Sequence, residues 1–172
     1  MALIVEDGSI VPNADSFVSL ADARVKADAL GLVLSTDDTK ADQTLRNGAR
    51  YVCSLEPSLQ GSRVSADQSL CYPRTGVTRH GYEVADDAIP DEVICAQIEA
   101  AAAIEGGTDP YPVDEGKEIA SEEVTGAVKV SYFEGGKTDS NVTITSATNC
   151  LYPLTLRAIG RGGKFTVTVN RG

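Results

Sequence analysis

Apolar positions recur at helical spacing three times before residue 107 and alternate with polar ones only in the last third of the chain. Residues 1–18 read as extended, with Glu6-Asp7-Gly8-Ser9 as a turn and Pro12-Asn13 leading on. Ser19 followed by Asp22 forms a capping box with the shorter acid, and Leu20, Ala23, Ala27 and Leu30 then share one face until Gly31 stops the helix. So short and weakly apolar a helix belongs on the surface of a bundle with one face packed. A second helix is expected over about 37–55. Ser35 to Asp38 supply its cap and negative charge, Ala41, Leu45, Ala49, Val52 and Cys53 form its stripe, and Pro57 ends it. Arg46 and Arg50, one turn apart, read either as a solvated face or as a ridge meeting an acidic neighbouring subunit. The clearest helix has Pro90 in its first turn and Asp91 and Glu92 at its positive dipole end. It carries Val93, Ile94, Ile98, Ala101 and Ile104 as far as Gly106-Gly107. The run Ala100 to Ala103 lets another backbone come close, which suits a central core helix or contact with an identical neighbour.

The second half of the chain changes period. Prolines and acids from Thr108 to Glu118 read as a linker. Val128, Val130 and Tyr132, then Val142 and Ile144, alternate with polar neighbours and predict two strands joined by residues 134–141. An isolated hairpin is marginal in water, so this one must rest on the bundle or on another chain. After Tyr152-Pro153, the alternation of Leu154, Leu156 and Ala158 allows a strand. Phe165, Val167 and Val169 then form a one-faced strand at the C-terminus, completed either by the protein's own hairpin or by the sheet of a partner chain. The fold class expected is mainly α (α+β): a small helical bundle at 1–110, a linker and inserted β-hairpin at 111–150, and a short helix with a C-terminal β-strand arm at 151–172.

Between the second and third helical patterns, residues 60–90 collect Arg63, Arg74, Arg79 and His80, the only histidine. In Tyr72-Pro73-Arg74-Thr75-Gly76 the proline sets φ, the residues before it are pushed towards extended geometry, and the glycine permits positive φ. Gly81-Tyr82 to Val84 supplies the second arm of a hairpin. Two roles suit such a loop: a solvated inter-helix hairpin, or a contact surface built from Arg63, Tyr72, Arg74 and Arg79.

Charge narrows the function classes. With 25 acidic and 15 basic residues the chain carries −10, whereas neutralising about six to ten phosphates requires a basic surface. The imbalance is local. Residues 1–139 hold all 25 acids and 11 bases, a balance of −14, while 140–172 hold Arg157, Arg161, Lys164 and Arg171 and no acid, a balance of +4. At physiological salt, screening over about 8 Å lets that basic end act independently of the acidic body. Aromatic residues make up 5% of the chain, which predicts an aliphatic, alanine-rich core.

Cys53, Cys71, Cys95 and Cys150 are dispersed, which predicts reduced and mostly buried thiols and no metal site. The N-terminal MALIVEDGSIV lacks a cationic segment and a long enough apolar run for export, and no stretch approaches the roughly 18 apolar residues of a membrane span. No catalytic motif surrounds His80, G-x-S-x-G does not occur, and GRGGKFT around Lys164 lacks the spacing of a phosphate loop. These observations predict neither an enzyme nor a cofactor.

MALIVEDGSIVPNADSFVSLADA, then QSLCYPRTG at 68–76, AIPDEVICA at 88–96 and the terminal Arg171-Gly172, in that order, resemble a family of tailed-phage proteins. Its members are labelled DnaT-like single-stranded DNA-binding proteins and are similar to head-tail connectors, or adaptors. The chain departs from the family in having Tyr72 before the proline and no tryptophan, and it matches loosely over 111–150. The resemblance implies a ring of about twelve copies in the virion neck, made in the host bacterial cytoplasm. This ring would lie between the portal protein and a downstream neck, stopper or tail protein. Genome DNA would pass through it without specific binding, and no membrane would be involved. The resemblance also makes the segment after Pro153 a short helix. It assigns portal docking to the terminal arm, with Arg161, Lys164, Phe165, Val167, Val169 and Arg171 as contact residues. The family label implies another role, a single-stranded DNA-binding replication accessory. That role needs aromatics beside a basic groove, and Tyr72 and Tyr82 near Arg74 and Arg79 are the candidates.

Overall fold

Ser19 caps the first helix as its spacing predicts. Its side chain accepts from the Asp22 N–H (3.1 Å) and its hydroxyl donates to the Asp22 carboxylate (2.6 Å). In the computed structural model, which describes residues 2–111 and 142–157, this helix, α1, spans Leu20–Leu30 and ends where Gly31 turns left-handed (φ 69°). It buries only Ala23 and Ala27, the narrow packed face expected of it. Helix α2 spans Asp38–Ser54, and its Asp37 cap accepts from the N–H groups of Thr39 (2.8 Å) and Lys40 (3.1 Å). Pro57 then sits in a 3₁₀ turn, Glu56–Ser58. Helix α3 spans Asp91–Glu105, with Pro90 as its N-cap and Asp91 and Glu92 in its first turn.

Helices α2 and α3 form the centre of the molecule. A Cβ placed on Gly48 of α2 would lie 2.5 Å from the Gln97 carbonyl oxygen of α3, so the two backbones meet where only hydrogen fits. The small residues of α3 therefore serve the core: Ala96, Ala100 and Ala101 are buried there with Val93 and Ile98. Gln97, also buried, ties three segments together. Its carbonyl accepts from the Phe17 N–H (2.9 Å), while its amide donates to Ser16 Oγ (2.7 Å) and the Leu45 carbonyl (2.9 Å). The N-terminal segment is held as a turn by buried Glu6, whose carboxylate accepts from the N–H groups of Gly8, Ile10 and Val11 at 2.9–3.0 Å.

The region after residue 141 departs from expectation. Thr145 does not end a strand but opens helix α4, Thr145–Leu151, followed by a 3₁₀ turn at Tyr152–Leu154. Ile144, Ala147, Leu151 and Leu154 are all buried in the main core, and their spacing is helical. The two-residue alternation of Val142 and Ile144 was too short to outweigh that period. Leu154, for which the residues alone allowed a strand or a helix, lies in the turn; Thr155 is extended and bridges to Leu59, and helical backbone, which the family resemblance implied, is found at Leu156 and Arg157. The boundary drawn at 150/151 falls inside α4, and residues 142–157 pack with the helical body.

A second departure concerns sulfur. Helix α4 lies along α3 and joins Cys150 to Cys95 in a disulfide with the Cα atoms 6.0 Å apart, whereas reduced thiols were expected. Only the tertiary packing of the two helices brings these cysteines together, across 55 residues of sequence. Cys53 and Cys71 are free. The expected strand at 128–133 and the terminal strand lie outside the described residues. With the four helices α1–α4 and two small antiparallel sheets among the described residues, the fold is mainly helical α+β, and no described helix is long and apolar enough to cross a membrane.

Candidate functional site

Residues 60–90 fold as two short ladders. Strand β1 (Ser62–Arg63) pairs antiparallel with β2 (Arg74–Thr75), placing Arg63 opposite Arg74. Strand β3 (Thr78–Arg79) pairs with β4 (Tyr82–Glu83) through His80 and Gly81, both at positive φ (52° and 86°), as a two-residue hairpin turn of this hand requires. The second arm at Gly81 to Val84 is thus the hairpin that the sequence predicts.

The loop is not merely solvated, and its centre is internal. Tyr72 and Pro73 are buried, their peptide bond is cis, and Arg74 is 5% exposed. The Arg74 guanidinium donates to the carbonyls of Gln60 (2.7 Å), Gly61 (2.7 Å) and Cys71 (3.3 Å) and to the Glu56 carboxylate (2.9 Å). Arg63 grips the same carboxylate with two bonds, 2.8 and 2.6 Å, and also donates to the Gln68 carbonyl. These arginines, led by the bonds from Arg63, hold the Glu56 carboxyl below the ordinary carboxylate range against the opposing effect of burial. Gln60 then clasps the loop to the chain after α4. Its N–H donates to Leu154 O (2.9 Å), its amide to Pro153 O (3.2 Å) and Thr155 O (3.1 Å), and its side-chain oxygen accepts from Thr78.

Two of the four proposed contact residues are therefore turned inward: Tyr72 and Arg74 present nothing to a partner in this conformation. The reason is electrostatic for Arg74, since Glu56 and three carbonyls surround it, and hydrophobic for Tyr72, whose burial pushes its hydroxyl pKa up. Arg63 is partly exposed but engaged with Glu56. Arg79 stays at the surface, 3.2 Å from the Glu92 carboxylate, and Tyr82, at 79% exposure, is its open neighbour. The arm residues Arg161, Lys164, Phe165, Val167, Val169 and Arg171 lie outside the described residues.

The same neutralisation extends across the described body. Arg24 pairs with Asp38, Lys26 with Asp91, Lys40 with Glu105 and Arg46 with Asp15. With Arg63, Arg74 and Arg79 this accounts for seven of the nine described basic residues, set among eighteen described acids. Arg46, expected either on a solvated face or on an intersubunit ridge, braces the N-terminal segment through Asp15 and Ala2 O. Arg50 instead lies over the Tyr111 ring, 4.4 Å from its centroid. It borders an open cleft of about 380 Å³ with Asn47, Ile104, Thr108 and Asp109. Sequence reasoning missed this pair because Tyr111 follows the linker prolines, and nothing local shows that the chain doubles back along α2. Among the described residues no group of three or more His, Cys, Asp or Glu side chains could hold a metal ion.

No characterised protein and no solved structure matches the chain. A family model does match, over residues 1–172, and its description is "Putative DnaT-like ssDNA binding protein". By that match along its entire length, the chain belongs to the DnaT-like ssDNA-binding family.

Proposed function

We propose that this member of the family is a structural adaptor of a tailed-phage neck. Its copies would assemble into a ring below the portal, through which the genome passes. The observation that carries this reading is the internal pairing of cations. Seven basic side chains of the described body already meet carboxylates at 2.5–3.2 Å, so phosphate binding there would have to break an existing ion pair at each. An acidic body lining a channel repels DNA phosphates and lets the duplex slide, while a basic arm seeks acidic protein. The order of sequence motifs, which resembles that of a family of tailed-phage proteins, supports the same role.

The second reading, single-stranded DNA binding, rests on the family description together with one observation. Arg50 is stacked on Tyr111 without a carboxylate partner among the described residues, the kind of platform on which a base could stack. Labelled oligonucleotides titrated at rising salt separate the two roles. The adaptor reading expects no binding at about 150 mM salt, whereas tight binding there, falling steeply with further salt and abolished by Arg50→Ala, would replace it with the second.

A further inference from the structure

The two free cysteines face each other at the foot of the central loop, and the fold gives them different surroundings. Cys53 lies in the last turn of α2 and is partly exposed, while Cys71, next to the Tyr72–Pro73 bond, is fully buried. The backbone N–H of Cys71 donates to Cys53 Sγ at 3.1 Å. The Glu56–Arg63 ion pair lies nearby, and its two charges act on the Cys53 sulfur in opposite senses. A backbone donor thus meets the sulfur of a partly exposed cysteine, with a second, buried thiol on the residue that supplies that donor.

We propose that Cys53 is a peroxide-reactive thiol and Cys71 its resolving partner, so that oxidation by a hydroperoxide staples the central loop to the end of α2. In the first step the Cys53 thiolate attacks the terminal oxygen of the hydroperoxide. The O–O bond breaks, water or an alcohol leaves with a proton, and Cys53 becomes a sulfenic acid. In the second step the Cys71 sulfur attacks the Cys53 sulfur, the S–O bond breaks, and the Cys71 proton leaves with the hydroxyl as water. The sum is one hydroperoxide reduced by two electrons and one dithiol oxidised by two.

The asymmetry needed for this division of labour follows from the surroundings. The hydrogen bond from Cys71 holds the Cys53 thiol below its ordinary pKa against the opposing effect of burial. The neighbouring Cys53 sulfur, together with burial, pushes the Cys71 thiol well up. The partly exposed cysteine is thus the readier of the two to lose its proton, and the buried one the slower.

Peptide mapping of the full chain after treatment with hydrogen peroxide tests this directly. Trypsin places Cys53 in peptide 51–63 and Cys71 in peptide 64–74, whereas Cys95 and Cys150 fall in other peptides. The expected product is a 51–63/64–74 cross-link lighter by two hydrogens than the sum of its parts. Before oxidation, a brief pulse of iodoacetamide should label Cys53 about tenfold or more faster than Cys71. In Cys71→Ser the cross-link disappears and Cys53 accumulates as a sulfenic acid trapped by dimedone. Equal labelling of the two cysteines, or a persistent Cys53 sulfenic acid in the unsubstituted protein, would overturn the proposal. The labelling and cross-link readouts need no variant, so a folding defect in Cys71→Ser leaves the test intact.

Discussion

At the scale of single residues, the strongest constraint is the carboxylate of Glu56 between two arginines. Arg74 is buried with four acceptors around it, so Arg74→Ala leaves three carbonyls without this donor and Glu56 with Arg63 alone, and should cost about 2–4 kcal/mol in a denaturant titration. A loss within about 0.5 kcal/mol would mean that this network does not hold the loop. The pH dependence has a definite sign. The folded state holds Glu56 below its ordinary range, so its contribution is complete above the unfolded pKa of about 4.3. That contribution is lost as pH falls through the folded value. Glu56→Gln should therefore lower stability at pH 7 and flatten its decline below about pH 4. Melting curves of the two proteins that stay parallel through that range would contradict it. The arginines themselves were visible in the sequence as a cluster, but their direction was not. Arg63 and Arg74 point at an acid upstream of the loop, seven and eighteen residues away, and no local spacing rule links them.

At the scale of elements, capping and periodicity made the first half readable. The Ser19 and Asp37 caps and the glycine stop at 31 lie where the residues place them, because each acts through bonds within its own turn, whereas Pro90, expected in the first turn of α3, is the extended residue just before it. Helix α4 was hidden because Val142 and Ile144 mimic a strand, and the helical stripe through Ala147, Leu151 and Leu154 becomes evident only when the window is extended past Pro153. The α2–α3 crossing depends on Gly48. Adding one methyl group there forces the Gln97 carbonyl aside, so Gly48→Ala should cost about 1–3 kcal/mol, whereas an alanine elsewhere on an exposed helix face is close to neutral. The disulfide binds α4 to α3. Cys95→Ser should lower stability by about 2–4 kcal/mol, and added reductant should reproduce that loss in the unsubstituted protein but not in the variant.

At the scale of the whole molecule, acids outnumber bases two to one in the described body, and most of its cations are engaged at home. Composition alone foretold the acidic surface, but not that tertiary ion pairs would occupy the remaining bases. In the proposed adaptor role such a body would repel nucleic acid and meet proteins at its edges, with the acid-free residues 140–172 as the oppositely charged end. Deleting residues 160–172 should leave the melting temperature of the body within a few degrees while abolishing attachment to the portal in pull-down. Attachment at full strength would remove the arm from the account. The most direct test of the adaptor role is the copy number of this protein in purified, DNA-filled particles, counted by quantitative mass spectrometry against the portal. The account predicts a fixed ratio near one copy per portal subunit, retained after nuclease treatment and high salt. Particles that lack the protein, while it is recovered from infected cells on single-stranded DNA, would contradict it.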